Sequence, residues 1–241
     1  MCLIVVKPKE SKSYLNYERF CMALDTNPHS IGILYKKDNK IKVKKFVKPK
    51  DIKKKIFNII KNKDEYAIHF RYATHGAIDT KNCHPFRVVD GLYLMHNGIL
   101  SKYGDMNKNQ SDTRNFIDYY LKPIIEKYGI DIIYTEEFKK EVEKEIGFGN
   151  KIVLIDNDFN YVILNENAGA WINDNWLSNT YSTKDFDFKT YSDKEMEENY
   201  DNYICKWYDE ETIKFLEDKE LDAILSEPFG YYDDLEKKFV Y

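Results

Sequence analysis

Short β-rich runs alternate with amphipathic helical stretches along this chain, and that alternation is what most limits its fold. The clearest strand pair is the run SIGILYKKDNKIKVKKFV, two β-rich segments around a Lys-Asp-Asn-Lys turn. Just after it, isoleucines recur at helical spacing: Ile52, Ile56, Ile59 and Ile60. This spacing predicts an amphipathic helix over 51–62. A layered α+β domain rich in hairpins accommodates this order of elements.

The remaining elements are predicted from the same patterns. Further strands are predicted over 2–6, 66–72, 92–96, 151–156, 161–165 and 176–181. Helices are predicted over 14–25, 136–146 and 113–129, the last with Pro123 as a kink or break and with Ser111 and Asp112 at the N-cap position. The segment 82–86 lies in a loop. From 183 to 241 the chain is acidic and partly helical, with 213–225 as the best helix, and we interpret it as an extension of a domain over 2–182.

Charge is unevenly distributed although the net charge is only −4. Residues 36–63 hold thirteen lysines and two acids, whereas 184–241 hold eighteen acids and eight lysines. These regions can face each other or a partner, but solvated faces are the favoured interpretation. Aromatic residues are sparse among the lysines, so a nucleic-acid partner is disfavoured.

Several classes of protein are disfavoured by the composition. No run of 18 apolar residues predicts a membrane helix, and the start MCLIVVKPKE lacks the features of a secretory signal. The four cysteines show no CxxC spacing, so we expect neither a metal site nor a disulfide framework. No phosphate-binding loop motif is present, and no cofactor is expected. A reducing, cytoplasmic location fits these features.

Cys2 follows the initiator methionine directly. Removal of Met1 would leave one residue with both a thiol and a free α-amine. An α-amine has a pKa of roughly 7.7–8.0, which suits a base that activates a thiol. Position alone does not assign this chemistry, because a small apolar residue at an untrimmed terminus looks the same.

Three polar motifs follow Cys2: RYATHG at 71–76, HNG at 96–98 and SDT at 111–113. Cys2 and these motifs, in this order, resemble the class II glutamine amidotransferases, which are N-terminal nucleophile hydrolases. The resemblance covers about 2–182. It implies a four-layer αββα sandwich, in which two stacked antiparallel sheets lie between helical layers and the N-terminal cysteine lies at the end of a central strand.

The resemblance also implies a catalytic group. Cys2 would attack the side-chain amide of glutamine or a γ-glutamyl amide, giving a thioester and ammonia. The Asn97 side-chain amide and the Gly98 backbone N–H would form the oxyanion hole, where one donor is worth on the order of 3–4 kcal/mol. In isolation, Asn97-Gly98 also fits an ordinary hairpin turn.

The same resemblance implies a group that holds the amino-acid part of the substrate. Arg71 would bind the α-carboxylate, Thr74 and His75 would line the pocket, and Asp112 would receive the α-ammonium. A guanidinium fork suits a carboxylate. Taken alone, Arg71 fits a surface ion pair and Asp112 a helix cap, and His75 and His84 are interpreted as loop-ordering residues.

Two departures from the family pattern stand near the nucleophile. Leu3 occupies a position where the family usually has glycine, which adds bulk beside Cys2, and His29-Ser30 replaces an Asp-Gly pair ahead of Ile31-Gly32. These changes bear on substrate choice and efficiency.

The residues after 182 are too few for a synthetase module. The favoured function is therefore a stand-alone glutamine or γ-glutamyl amidase. Two alternatives stay open: a glutaminase subunit that delivers ammonia to a separate synthetase partner, and a catalytically silent interaction protein with the same fold.

Overall fold

The computed structural model describes residues 2–73 and 77–180, together with the backbone of two short strands near the C-terminus. The helices are α1 (Tyr17–Thr26), α2 (Lys53–Ile60), α3 (Asp112–Phe116), α4 (Lys122–Tyr128) and α5 (Glu136–Ile146). The strands are β1 (Leu3–Lys7), β2 (Ser30–Lys37), β3 (Lys40–Val47), β4 (Tyr66–Arg71), β5 (Phe86–Val89), β6 (Leu92–Asn97), β7 (Lys151–Asp156), β8 (Tyr161–Leu164), β9 (Ala170–Ile172), β10 (Asn175–Leu177), β11 (Tyr231–Asp233) and β12 (Lys238–Val240).

Most strands of this part of the chain belong to two antiparallel sheets. One has six strands in the order β3-β2-β4-β1-β10-β9, and the other has four in the order β5-β6-β7-β8. β1 is therefore an interior strand, flanked by β4 and β10, and Cys2 directly precedes it. β11 and β12 pair with each other.

Three apolar clusters show how the sheets and helices pack. α1 and α2 cover one face of the six-stranded sheet, with Phe20, Ile56 and Phe70 among the buried residues. The helices of 112–146 cover one face of the four-stranded sheet. A third cluster joins residues of both sheets, including Ile4 and Met95. The two antiparallel sheets with flanking helices confirm the predicted α+β class and are compatible with a sandwich.

Most predicted elements lie where the sequence indicated, with shifted ends. The first helix begins at Tyr17 and not at 14, because the Asn16 side chain accepts the Arg19 N–H and caps it. The predicted helix over 113–129 consists of α3 and α4, which are joined by a π-helical turn at Ile117–Leu121. Pro123 lies in the first turn of α4. Ser111 is the N-cap, since its hydroxyl accepts the Arg114 N–H at 3.3 Å.

Four of the described strands, β5, β9, β11 and β12, were not predicted, and one prediction cannot be compared. β5 begins at the end of the segment assigned to a loop, and β9 pairs with β10 at the edge of the larger sheet. β10 occupies only the start of the strand predicted over 176–181. The helix predicted over 213–225 lies outside the described residues. Within the described residues, no helix is long and apolar enough to span a membrane.

The two-residue period of the strands explains where polar residues collect. Ile4, Ala67 and Trp176 face the cluster between the sheets. Continuing each strand by an even number of residues puts Cys2 and Arg71 on that same inner face. In antiparallel pairing Leu3 lies opposite Phe70, so the next pair in this register brings Cys2 opposite Arg71. One end of the space between the sheets is therefore polar.

Candidate functional site

A cleft opens at this polar end and encloses about 420 Å³, counting the part that is open to solvent. Residues from Cys2 and from all three motifs line it: Cys2, Arg71, Tyr72, Ala73, Asn82, His84, His96, Gly98, Ser111, Asp112 and Thr113. Segments distant in sequence thus meet at one cleft. Thr74 and His75 lie outside the described residues.

The Cys2 thiol is half-buried at the start of β1, and its Sγ lies 3.5 Å from the Tyr72 carbonyl oxygen. Burial raises the pKa of this thiol, and the positive charge of Arg71 opposes that shift in part. A thiol whose pKa is raised needs a base before it can act as a nucleophile at neutral pH.

Leu3 does not add bulk to the cleft. Its side chain is fully buried in the cluster beneath α1 and α2, on the face of β1 opposite to Cys2. The expectation of crowding beside the nucleophile was therefore wrong, because successive strand residues face opposite sides of a sheet.

His29 orders the rim of the cleft. Its Nδ1 accepts the Ala73 N–H at 2.8 Å, and its ring packs against the Tyr72 ring with 5.0 Å between centroids. The His29 backbone N–H also donates to the Arg71 carbonyl oxygen at 3.2 Å. The residue that departs from the family pattern thus holds the segment that follows Arg71.

Arg71 lies at the end of β4 and is only 5% exposed. Its Nη1 donates to the Ala77 carbonyl oxygen at 3.0 Å, which ties the guanidinium to the far side of the RYATHG segment. An arginine held in this way presents a positive charge to the cleft from a fixed position. It is a suitable group for an anionic part of a ligand.

His96 connects the HNG and SDT motifs. Its Nδ1 lies 2.9 Å from Thr113 Oγ1, and its Nε2 lies 2.9 Å from Asn150 Oδ1. The Asn150 amide nitrogen donates to the Ile146 carbonyl oxygen, so Oδ1 accepts and the His96 Nε2 carries the proton. His96 thereby fixes the end of β6 against α3 and α5.

Gly98 follows β6 where no larger residue fits. Its φ is +150°, and a Cβ atom there would lie 2.1 Å from Asn150 Oδ1. The absence of a side chain leaves the backbone of Gly98 exposed to the cleft. A ligand can therefore approach the backbone of Gly98 closely.

Asn97 is 4% exposed and does not line the cleft directly. Its Nδ2 donates to Ser178 Oγ at 2.8 Å, across the space between the two sheets. An amide nitrogen carries two hydrogens, so this bond occupies one of them.

Asp112 is the first residue of α3 and closes the loop after Gly98. One carboxylate oxygen accepts the Leu100 N–H at 2.8 Å, and the other accepts the Thr113 N–H at 2.7 Å. The carboxylate lines the same cleft as Arg71. The cleft thus holds one fixed positive and one fixed negative group, which suits a zwitterion.

Three histidines are buried next to the cleft. The rings of His69 and His84 lie 4.1 Å apart, and His69 Nε2 donates to the His96 carbonyl oxygen at 3.0 Å. Burial lowers the pKa of His69 to about 3, lowers the pKa of His84 well below its usual value and lowers that of His96. All three are therefore neutral at physiological pH, and His84 lies in the loop that it was expected to order.

Gly32 gives that loop room to pass between the sheets. A Cβ atom on Gly32 would lie 1.5 Å from the His84 carbonyl oxygen.

Among the described residues, no group of three or more His, Cys, Asp or Glu side chains could hold a metal ion.

Some residues around Cys2 carried no signal in the sequence. Ser178 Oγ accepts the Ile4 N–H at 2.8 Å, and Asn179 Nδ2 donates to the Cys2 carbonyl oxygen at 2.5 Å. Only the pairing of β1 with β10 brings them together, across more than 170 residues of sequence. Asn150 also carried no signal, because the pairing of β6 with β7, and no local pattern, brings it to His96. His96 and Thr113 belong to the HNG and SDT motifs.

Comparison with known proteins gives partial matches to glutamine–fructose-6-phosphate aminotransferases. The chain is 30% identical over 96 residues to the isomerizing enzyme of Geobacillus kaustophilus, covering 36% of this chain and 16% of that protein. It is 31% identical over 114 residues to the isomerizing enzyme 2 of Homo sapiens, covering 43% of this chain and 16% of that protein. No family model matches. The similarity to glutamine-using aminotransferases is thus confined to a small part of those proteins.

Proposed function

We propose that this protein hydrolyses the side-chain amide of glutamine, or of a related γ-glutamyl compound, with Cys2 as nucleophile. The observation that carries the proposal is the single cleft that brings Cys2 together with Arg71, Gly98 and Asp112. The partial similarity to enzymes whose names specify glutamine supports the same substrate. The fold is proposed to be of the N-terminal nucleophile hydrolase type.

Removal of Met1 is the first requirement of the mechanism. The Cys2 α-amine then takes the thiol proton, and the thiolate attacks the amide carbon of the substrate. Burial makes the base necessary, since it raises the pKa of the thiol. The resulting oxyanion accepts a hydrogen bond from the Gly98 N–H, and we propose that the second N–H of the Asn97 amide, which is buried directly beside the cleft, supplies another.

Collapse of the tetrahedral intermediate breaks the carbon–nitrogen bond. The Cys2 ammonium returns its proton to the departing nitrogen, so that ammonia leaves and a thioester remains. Water, deprotonated by the same amine, attacks the thioester carbonyl, and breaking of the carbon–sulfur bond yields glutamate and the free thiol.

Recognition of the amino-acid head group belongs to the two charged residues. Arg71 binds the α-carboxylate and Asp112 the α-ammonium, while Thr74 and His75 are proposed to line the remainder of the pocket. Asp112 retains its bonds to the Leu100 and Thr113 N–H groups while it does so, because a carboxylate accepts about four hydrogen bonds.

The direct test is release of glutamate and ammonia from glutamine by protein whose Met1 removal is verified by intact mass. A short series of γ-glutamyl amides is assayed in parallel. Cys2→Ala should abolish turnover with little change in stability, whereas Cys21→Ala, at a buried thiol in α1, should retain it. Absence of turnover with every substrate, together with no labelling of Cys2 by a glutamine-like diazo-ketone, would overturn the proposal.

A further inference from the structure

The end of β10 departs from regular strand pairing at the point nearest to Cys2. Ser178 lies opposite Ile4, and its backbone N–H donates to the Ile4 carbonyl oxygen at 2.9 Å, as a ladder requires. The returning bond is different, because the Ile4 N–H donates to Ser178 Oγ at 2.8 Å and not to the backbone carbonyl. A side chain has replaced the backbone acceptor in this ladder.

The same hydroxyl oxygen receives a second hydrogen bond. Asn97 Nδ2 donates to Ser178 Oγ at 2.8 Å, so one oxygen joins β1 of the larger sheet to the end of β6 in the smaller one. Both residues are buried, Ser178 completely. A hydroxyl oxygen has two lone pairs, and here both have a donor.

This arrangement determines the direction of the Asn97 amide. A primary amide group is planar, so fixing one N–H in space also fixes the other. The N–H that is bonded to Ser178 cannot serve a ligand, but it orients the one that remains. Ser178 is therefore in a position to aim Asn97 without touching a substrate.

Asn179 contacts Cys2, the proposed nucleophile. Its Nδ2 donates to the Cys2 carbonyl oxygen at 2.5 Å, and the side chain is only 9% exposed. Cys2 lies directly before the first residue of β1, outside the strand itself. The Asn179 bond ties the Cys2 carbonyl group to the chain that follows β10.

We propose that Ser178 and Asn179, here called the β10 clasp, are positioning residues that set the geometry between the Cys2 thiol and the Asn97 amide. This inference rests on the proposed function for its catalytic consequence. Ser178 orients the oxyanion donor, and Asn179 holds the backbone of the nucleophile. Both act through other residues and contact no substrate.

The first test is Ser178→Ala in the full chain with Met1 removed. We expect kcat for glutamine hydrolysis to fall by about tenfold to a hundredfold, less than loss of a whole oxyanion donor, with KM changed by less than about threefold. Alkylation of Cys2 by iodoacetamide should stay within about twofold, because displacement of iodide at a saturated carbon builds no oxyanion and needs no such donor. Ser178→Thr keeps the hydroxyl and should therefore retain most of the kcat of the unmodified protein.

The second test is Asn179→Leu, which removes the donor while keeping the shape of the side chain. Here the rate of Cys2 alkylation should change along with kcat, because the nucleophile itself is released.

Ser11→Ala is the matched control for Ser178→Ala. Ser11 is also a buried serine with hydrogen bonds to the backbone, but it lies beyond the other end of β1. It should leave both rates unchanged even if it lowers stability.

The outcomes separate this inference from the proposed function. If the unmodified protein turns over glutamine and both clasp variants fold yet keep kcat within about threefold, the clasp proposal is wrong and the function stands. If the unmodified protein turns over neither glutamine nor any of the γ-glutamyl amides and Cys2 is not labelled by the diazo-ketone, the proposed function is wrong, and hydrogen exchange decides on the clasp. Ser178→Ala should then speed exchange of the Ile4 amide by about tenfold or more, and unchanged exchange would overturn the clasp.

Discussion

At the scale of single residues, Gly98 and Asn150 are packed so closely that a side chain at position 98 has no space. Gly98 has a positive φ and lies against Asn150, and Asn150 in turn fixes the His96 ring. The position of the Gly98 N–H is thus coupled to a buried hydrogen-bond network. A change of one methyl group at Gly98 acts on both.

Gly98→Ala should lower the free energy of unfolding by about 2–4 kcal/mol and abolish turnover, because the new Cβ overlaps Asn150 Oδ1 and the backbone is strained. Gly147→Ala is the matched control, since Gly147 also has a positive φ but nothing lies within 4 Å of its Cβ position. It should cost less than Gly98→Ala, about 1–3 kcal/mol, from the strain of φ 74° with ψ 159° alone, because the Cβ atom itself meets nothing. Urea unfolding of both variants measures the difference, and equal losses would mean that the contact with Asn150 is unimportant.

Arg71→Lys should raise KM for glutamine by about tenfold or more and change kcat much less, because an ammonium cannot reproduce the bidentate fork of a guanidinium. Arg87→Lys is the control, since Arg87 pairs with Asp90 at the surface, away from the cleft. Steady-state kinetics decide the matter. A KM that rises less than about threefold would remove Arg71 from carboxylate binding.

At the scale of elements, strand alternation gathers the site. Three strands, β1, β4 and β6, meet at the polar end of the space between the sheets. Each has a polar residue of the inner face there: Cys2 directly before β1, Arg71 at the end of β4 and Asn97 at the end of β6. The β2–β3 hairpin supports this sheet from the side, and its turn residues Asp38 and Asn39 have φ values of 52° and 55°. Such values are typical of the two-residue hairpin turns that follow the twist of the strands.

Asn39→Gly should therefore raise the free energy of unfolding by about 0.5 kcal/mol, since glycine adopts a positive φ without strain. Asn39→Ala at the same position should lower it by about 1 kcal/mol. Thermal or urea unfolding of the pair provides the measurement. If both variants shift stability in the same direction, the turn does not contribute in this way.

The sequence predicted these elements better than it predicted the contacts between them. Hairpins and helices with clear periodicity were found, whereas β5 and β9 are too short to show a pattern and exist because a neighbouring strand pairs with them. Cys2, Arg71 and Gly98 could be named from motifs. Ser178 could not, because its importance follows from the order β4-β1-β10, and no local pattern encodes that order.

At the scale of the whole molecule, the packing of the two sheets buries three neutral histidines beside the cleft. His69, His84 and His96 are all buried, and burial is the main reason that their pKa values are lowered. Neither ring nitrogen of His84 has a hydrogen-bond partner among the described residues. The fold therefore favours neutral imidazoles more strongly than the unfolded chain does.

Stability should fall as the pH decreases below about 6.5, because the unfolded chain then binds protons that the folded protein excludes. Each buried histidine costs up to about 1.4 kcal/mol per pH unit, and for His69 the loss continues towards its folded pKa of about 3. Urea unfolding between pH 7.5 and 5 measures the slope before the carboxylates titrate. A flat profile over this range would contradict the neutral, buried state.

His84→Phe separates one histidine from the others. The His84 ring packs against Phe86 with 4.3 Å between centroids, so a phenyl ring should be tolerated within about 1 kcal/mol at pH 7.5. The slope of stability against pH should decrease by one proton. An unchanged slope would show that His84 takes no part in it.

In the proposed mechanism, Cys2 attacks an amide with its own α-amine as the base. The most direct measurement compares glutamine turnover by two forms of the protein, one with Cys2 at the terminus and one in which an alanine inserted after Met1 keeps the Cys2 nitrogen in a peptide bond. We expect glutamate release by the first form and none by the second, although both should fold equally well. Equal turnover by the two forms would contradict it.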